Sequence, residues 1–157
     1  MKEKNARIFH YTIGERLASI MKNGIRLATA YVPVEVRPVV WFSTAPVWET
    51  TANKGAMIDG EYRTLTRDET RALGGGLVRV EVAPEVAPYK WKDYCTLSGD
   101  TEESLKGLKR TARHQGSDPR NWRVSFEPVP TDRFLAVEVW ENSRWQSVKP
   151  RESDPAT

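Results

Sequence analysis

The order in which strand and helix signals follow one another constrains this chain more than any single motif. Strand-like runs occur at 7–12, 39–42, 77–82, 122–126, 134–140 and 145–148. Helical stripes follow the first run and reappear only after residues 66 and 100. In 77–82, Leu-Val-Arg-Val-Glu-Val alternates strictly and Pro84 stops it; Trp122, Val124 and Phe126 alternate with Arg123, Ser125 and Glu127. Helices that do not alternate regularly with strands disfavour a doubly wound parallel sheet and predict a mixed α+β domain with two small sheets. At 157 residues one domain with a real hydrophobic core is expected. It should span 1–148, with a frayed start over 1–5 and a polar, disordered tail over 149–157.

Arg7-Ile8-Phe9-His10-Tyr11-Thr12 reads as a short strand ending in polar groups. Thr12 and Glu15 form the T-x-x-E pattern of a capping box, so a helix is predicted to start there. Leu17, Ile20 and Met21 give that helix one apolar stripe, and Gly24 sits where a left-handed cap is needed. The segment 30–38, with Tyr31 and two prolines, is read as a loop crossing one end of a site. Val39-Val40-Trp41-Phe42 is a buried strand ending in Ser43 and Thr44, either of which can cap a short helix through Pro46, Val47, Trp48 and Glu49. Residues 53–65 read as a Gly-rich loop. Thr66 and Glu69 make a second capping box, ended by Gly74-Gly75-Gly76. The aromatic stretch 84–96 reads as irregular, and Asp100 with Glu103 as a third helix start.

No apolar run approaches the roughly 18 residues of a membrane span, and no apolar stretch backs the charged N-terminus as in a signal peptide. The single Cys95 forms no internal disulfide. A cytoplasmic protein without membrane contact is the expectation. A net charge of +3 does not by itself indicate nucleic acid. The basic face of Lys106, Lys109, Arg110 and Arg113, with His114 and Arg123, suits either a phosphate backbone or plain solvation. Two distant histidines and one cysteine fall short of a zinc set.

His10, at a strand end, can donate a hydrogen bond to a ribose hydroxyl while a backbone carbonyl holds its other nitrogen; equally, it can be a half-buried histidine satisfied by backbone alone. Alternation puts Trp41 and Ser43 on one strand face and Phe42 and Thr44 on the other. An aromatic plane beside a hydroxyl suits a flat heteroaromatic ring bearing an amide, and core packing explains the same residues. Glu49 and Lys54 can meet a ligand or point to solvent.

Phe9-His10-Tyr11-Thr12, then Leu17-x-x-Ile20 on a helix ending at Gly24, then Trp41-Phe42-Ser43-Thr44, resembles the first half of an ADP-ribosyltransferase fold. The resemblance is to the branch whose first motif is a strand-end His, which includes rifamycin ADP-ribosyltransferases, DNA-modifying toxins and tRNA 2′-phosphotransferases. It covers 6–54 closely and 77–148 loosely. It implies a split β-sandwich of two small sheets with flanking short helices. It also implies an enzyme of the glycosyltransferase class using NAD as substrate, with a protein or nucleic acid as acceptor, in the setting of a microbial or phage effector or toxin. By the same resemblance His10 holds the nicotinamide-side ribose, Trp41 packs on nicotinamide as a catalytic-site residue, and Tyr11, Thr12, Ser43 and Thr44 line the NAD site; Glu49, just after the second motif, is a further candidate there by position. Arg7, Arg26 and Arg37 are further candidates for the diphosphate. The family's third motif is an acidic residue. Glu127, in Ser125-Phe126-Glu127-Pro128, is the first match for this catalytic role, with Glu138 and Asp93 as alternatives. Asn121-Trp122-Arg123-Val124-Ser125 is also similar to the phosphotransferase pattern, which lacks that acid. Two other readings therefore stand beside the transferase: a non-catalytic nucleotide or ADP-ribose-binding module, and an RNA 2′-phosphotransferase.

Overall fold

The computed structural model describes residues 6–30 and 32–148. The expected frayed start, Tyr31 of the proline loop and the expected disordered tail lie outside the described residues. In chain order, β1 (Ile8–Ile13) leads through a 3-10 turn (Gly14–Arg16) into α1 (Leu17–Asn23). A loop then reaches β2 (Val40–Ser43), a 3-10 turn (Thr50–Ala52) and the hairpin of β3 (Gly55–Ile58) and β4 (Glu61–Thr64). Next come α2 (Arg67–Gly74), β5 (Leu77–Val82), β6 (Tyr89–Lys90), α3 (Trp91–Leu97) and α4 (Glu102–Gln115). β7 (Trp122–Ser125), β8 (Phe134–Glu141) and β9 (Arg144–Ser147) end the series.

Seven strands form one antiparallel sheet in the order β6-β7-β2-β1-β5-β8-β9, and β3-β4 stand apart as a two-stranded hairpin. The α+β class is as the sequence implied. The expected two small sheets are instead joined in one, but the joint is narrow. β1 pairs with β5 along its whole length, from Ile8 opposite Val82 to Ile13 opposite Leu77. With β2 it shares a single registered pair, Phe9 opposite Ser43. A three-stranded block (β6, β7, β2) and a four-stranded block (β1, β5, β8, β9) thus meet at one rung.

Period-two alternation sorts side chains onto the two faces. Ile8, Val40, Phe42, Val78, Val80, Val82 and Val137 form the main core, covered by Ile20 of α1 with Ile25 and Val129. The other face carries Phe9, Tyr11 and Leu77 against Trp48, Trp140 and Trp145. There the pattern at 77–82 misleads. Arg79 occupies an outward position by polarity, yet it is only 5% exposed. Its Nε donates to Glu138 at 2.6 Å and its guanidinium lies 4.0 Å from the centre of the Phe9 ring and 4.6 Å from that of Trp145.

Several local expectations are corrected. Thr12 caps nothing: the ladder to β5 carries the strand on to Ile13, and Thr12 is buried within it. Gly24 does end α1, with φ of 78°. No helix forms through Pro46–Glu49, because the Ser43 hydroxyl accepts from the Ala45 N–H and donates to Glu49, and Glu49 caps the turn at Thr50–Ala52 instead. The expected loop 53–65 contains the β3–β4 hairpin, turning at Asp59 and Gly60, both with positive φ. An Asp-Gly pair is a hairpin signal in its own right. The capping box of Thr66 and Glu69 is present on α2, and Gly75 adopts the left-handed conformation after it. The stretch 84–96 is ordered into a 3-10 turn, β6 and α3. Thr101, not Asp100, caps α4.

Candidate functional site

A cavity of about 310 Å³ opens where the β1–β2 ladder stops. Phe9, His10 and Tyr11 of β1 and Trp41, Phe42 and Ser43 of β2 line it, with Glu49, Thr51, Ala52 and Lys54 from the following loop and Leu108, Thr111 and Trp122 on the α4 side. Five of the residues expected at a site, His10, Tyr11, Trp41, Ser43 and Glu49, therefore converge.

His10 sits one residue beyond the last rung of the joint. Its Nδ1 lies 2.8 Å from the Trp41 carbonyl. A carbonyl only accepts, so Nδ1 carries the hydrogen. Burial, and after it the charges of Lys54 and Arg16, hold the imidazole pKa below its ordinary 6.5, against the opposing pull of the Trp41 carbonyl. At neutral pH the ring is uncharged and Nε2 presents a lone pair. The donor role expected for the free nitrogen is thus an acceptor role. Phe42 holds the ring edge-on, with centroids 5.8 Å apart.

Trp41 belongs to an aromatic cluster. Its ring centroid is 4.9 Å from that of Tyr94 and 5.6 Å from that of Trp122. It is half-buried, so part of the indole packs in the core and part borders the cavity. The indole therefore packs within the core and also forms part of the cavity wall.

Glu49, expected either to meet a ligand or to face solvent, is 8% exposed. Its Oε1 accepts from the Ser43 hydroxyl at 2.7 Å; its Oε2 accepts from the Thr51 N–H at 3.2 Å and from the hydroxyls of Thr51 and Ser117. Ser117 in turn accepts from Trp122 Nε1 at 3.1 Å. No lysine or arginine among the described residues forms an ion pair with Glu49. Lys54 lies in the same cavity and likewise makes no ion pair among the described residues. Burial first, then the nearby Arg16, lower its pKa, while Glu15 opposes them. The cavity consequently has a carboxylate at Glu49 and nitrogen bases at Lys54 and His10, with the exposed Arg16 close enough to act on both through its charge but outside the lining.

The remaining candidates lie elsewhere. Thr12 and Thr44 are not among the lining residues, and Thr44 donates to Asn121 Oδ1 at 2.8 Å. Glu127 is exposed on the loop after β7. Because Val40 pairs with Ser125 and Ser43 with Trp122, Glu127 projects past the end of β2 remote from Ser43 and Glu49. Glu138 is engaged by Arg79, and Asp93 accepts from the Lys90 N–H at the start of α3. Arg7 pairs with Glu81, Arg37 covers the Phe126 ring and Arg26 is exposed; none lines the cavity. Lys106 pairs with Glu102 on the exposed face of α4. Arg16, Thr51 and Ser117 were not singled out by sequence. Thr51 lines the cavity and bonds Glu49 from two residues away in the same turn, whereas Ser117 reaches Glu49 only through the tertiary fold and Arg16 acts on His10 and Lys54 by its charge.

Among the described residues no group of three or more His, Cys, Asp or Glu is placed to hold a metal, and no helix is long and apolar enough to cross a membrane. No family model, curated protein or solved structure matches the chain.

Proposed function

We propose that this protein is an NAD-dependent ADP-ribosyltransferase acting on a macromolecular acceptor, protein or nucleic acid, on a split-sandwich scaffold of the ADP-ribosyltransferase type. The observation that carries the reading is the convergence of His10 and Trp41 in one cleft, coupled through the Nδ1–carbonyl bond. Small-molecule sites typically occupy about 300–1,000 Å³, so the cavity suits the nicotinamide and ribose part of a dinucleotide. The narrow joint between the two sheet blocks supports the scaffold assignment.

Each group has a use. Trp41 offers a plane for the electron-poor pyridinium ring. Neutral His10 accepts a hydrogen bond at Nε2 from a ribose hydroxyl and so orients the sugar. Lys54 supplies positive charge for the diphosphate. Breaking the bond between ribose C1′ and the nicotinamide nitrogen leaves the bonding pair on that nitrogen and positive charge on the sugar, as in glycoside cleavage. The acceptor's nucleophile then forms the new bond to C1′ and releases a proton.

Incubation with NAD, with and without candidate acceptors, and measurement of free nicotinamide tests the reading. Release is expected from the wild type. His10→Ala should lose it while keeping the wild-type circular dichroism spectrum. NAD binding without release under every condition would identify a binding module instead.

A further inference from the structure

We propose that Glu49 is a catalytic residue: the carboxylate that meets the positive charge developing on the ribose. This rests on the reading of the cavity as an NAD site.

A cation forming in a cleft is stabilised by a fixed, desolvated negative charge that no protein cation already neutralises. Glu49 is the carboxylate among the lining residues. It is buried, and no ion pair among the described residues spends its charge. The three other candidates are disqualified on geometry: Glu127 faces solvent past the far end of β2, Glu138 is bound by Arg79 and Asp93 caps a helix.

The hydrogen bonds hold the carboxylate rigidly without filling it. Ser43 Oγ already accepts from Ala45 N–H, and Ser117 Oγ from Trp122 Nε1, so each hydroxyl has its own proton free to donate to Glu49. Oε2 receives three donors and Oε1 one. A carboxylate oxygen accepts about two hydrogen bonds, so Oε1 retains a lone pair for a ribose hydroxyl. Glu49 forms no covalent bond in this scheme. As the C1′–nitrogen bond breaks, the electron pair leaves with neutral nicotinamide. The carboxylate faces the sugar cation until the acceptor's electron pair arrives and its proton departs. Preorganisation by Ser43, Thr51 and Ser117 means that no dipole has to reorient during the step.

The test compares full-length wild type with Glu49→Gln, Glu49→Asp, Ser117→Ala and Glu127→Gln. The readouts are kcat and KM for nicotinamide release, NAD affinity and thermal midpoint. Glu49→Gln is nearly isosteric and should lower kcat by about 100-fold or more, with NAD affinity within about threefold. Glu49→Asp should recover part of kcat. Ser117→Ala removes one anchor but leaves the carboxylate, so its thermal midpoint should fall with kcat within about tenfold of wild type. Glu127→Gln should match wild type in all readouts. Wild-type turnover with an unimpaired Glu49→Gln overturns the assignment alone. So does a loss of kcat in Glu49→Gln that Ser117→Ala reproduces at an equal loss of thermal midpoint, because that marks Glu49 as a structural staple. NAD binding by wild type without nicotinamide release overturns the enzyme reading and the assignment with it.

Discussion

The His10 imidazole donates from Nδ1 to the Trp41 carbonyl across 2.8 Å, at the point where β1 and β2 cease to pair. The bond fixes the tautomer, and burial disfavours the charged ring. The folded-state pKa lies below the unfolded value, so the unfolded chain takes up a proton that the folded protein resists. Stability from this source is complete above pH 6.5 and is lost as pH falls from there through the folded-state pKa. His10→Gln should therefore flatten the fall in urea-melt stability between about pH 7 and 5. An identical slope in variant and wild type would refute a desolvated, neutral His10.

Trp41 splits its indole between the aromatic cluster and the cavity. Trp41→Tyr should keep the fold and most of the NAD affinity. Trp41→Leu should weaken binding about tenfold or more, since stacking on an aromatic plane contributes about 1–3 kcal/mol. Titration calorimetry reads the affinity, and quenching of tryptophan emission by NAD should be smaller in both variants.

Lys54 presents an ammonium to the cavity with no ion pair among the described residues. Lys54→Met should raise KM for NAD about tenfold and leave kcat within about twofold, as loss of uniform binding does. The salt dependence of KM should shrink with it. Steady-state assays at two ionic strengths check both. An unchanged KM would remove Lys54 from the site.

Arg79 and Glu138 form a buried pair whose side chains are 6% and 17% exposed, and the guanidinium also donates to the Pro46 carbonyl at 2.9 Å. Arg79→Met leaves Glu138 and that carbonyl without their partner, which should cost about 3–5 kcal/mol. Arg79→Lys should recover only part, because an ammonium lacks the planar fork that serves Glu138 and the Pro46 carbonyl together from between the Phe9 and Trp145 rings. Chemical denaturation measures the difference.

Apolar periodicity made most strands legible, as β1, β2, β5, β7 and β8 illustrate, because alternation records directly which side chains a sheet buries. It misjudged Arg79 for the same reason: polarity says nothing of a charge neutralised inside the fold. Thr12 carried a valid capping pattern, but six rungs to β5 outweighed one side-chain bond. His10, Trp41 and Ser43 were readable because strand ends follow from the pattern. The neighbourhood of Glu49 was not, since Ser117 lies 68 positions away and no local rule connects them. Glu127 looked apt because it ends an alternating run just before Pro128-Val129-Pro130, yet the antiparallel register of β7 on β2 sends it the wrong way.

The single rung between the sheet blocks has a consequence for biosynthesis. Each block draws its strands from both halves of the chain: β1 waits for β5, and β2 waits for β7, whose Trp122 stands opposite Ser43. Such distant pairings make for slow folding. While the chain is still on the ribosome, the first fifty residues hold most of the cavity's lining residues but no cavity. Only after Leu108, Thr111 and Trp122 emerge does the cleft acquire its far wall, so a nascent chain shorter than that lacks the finished cavity.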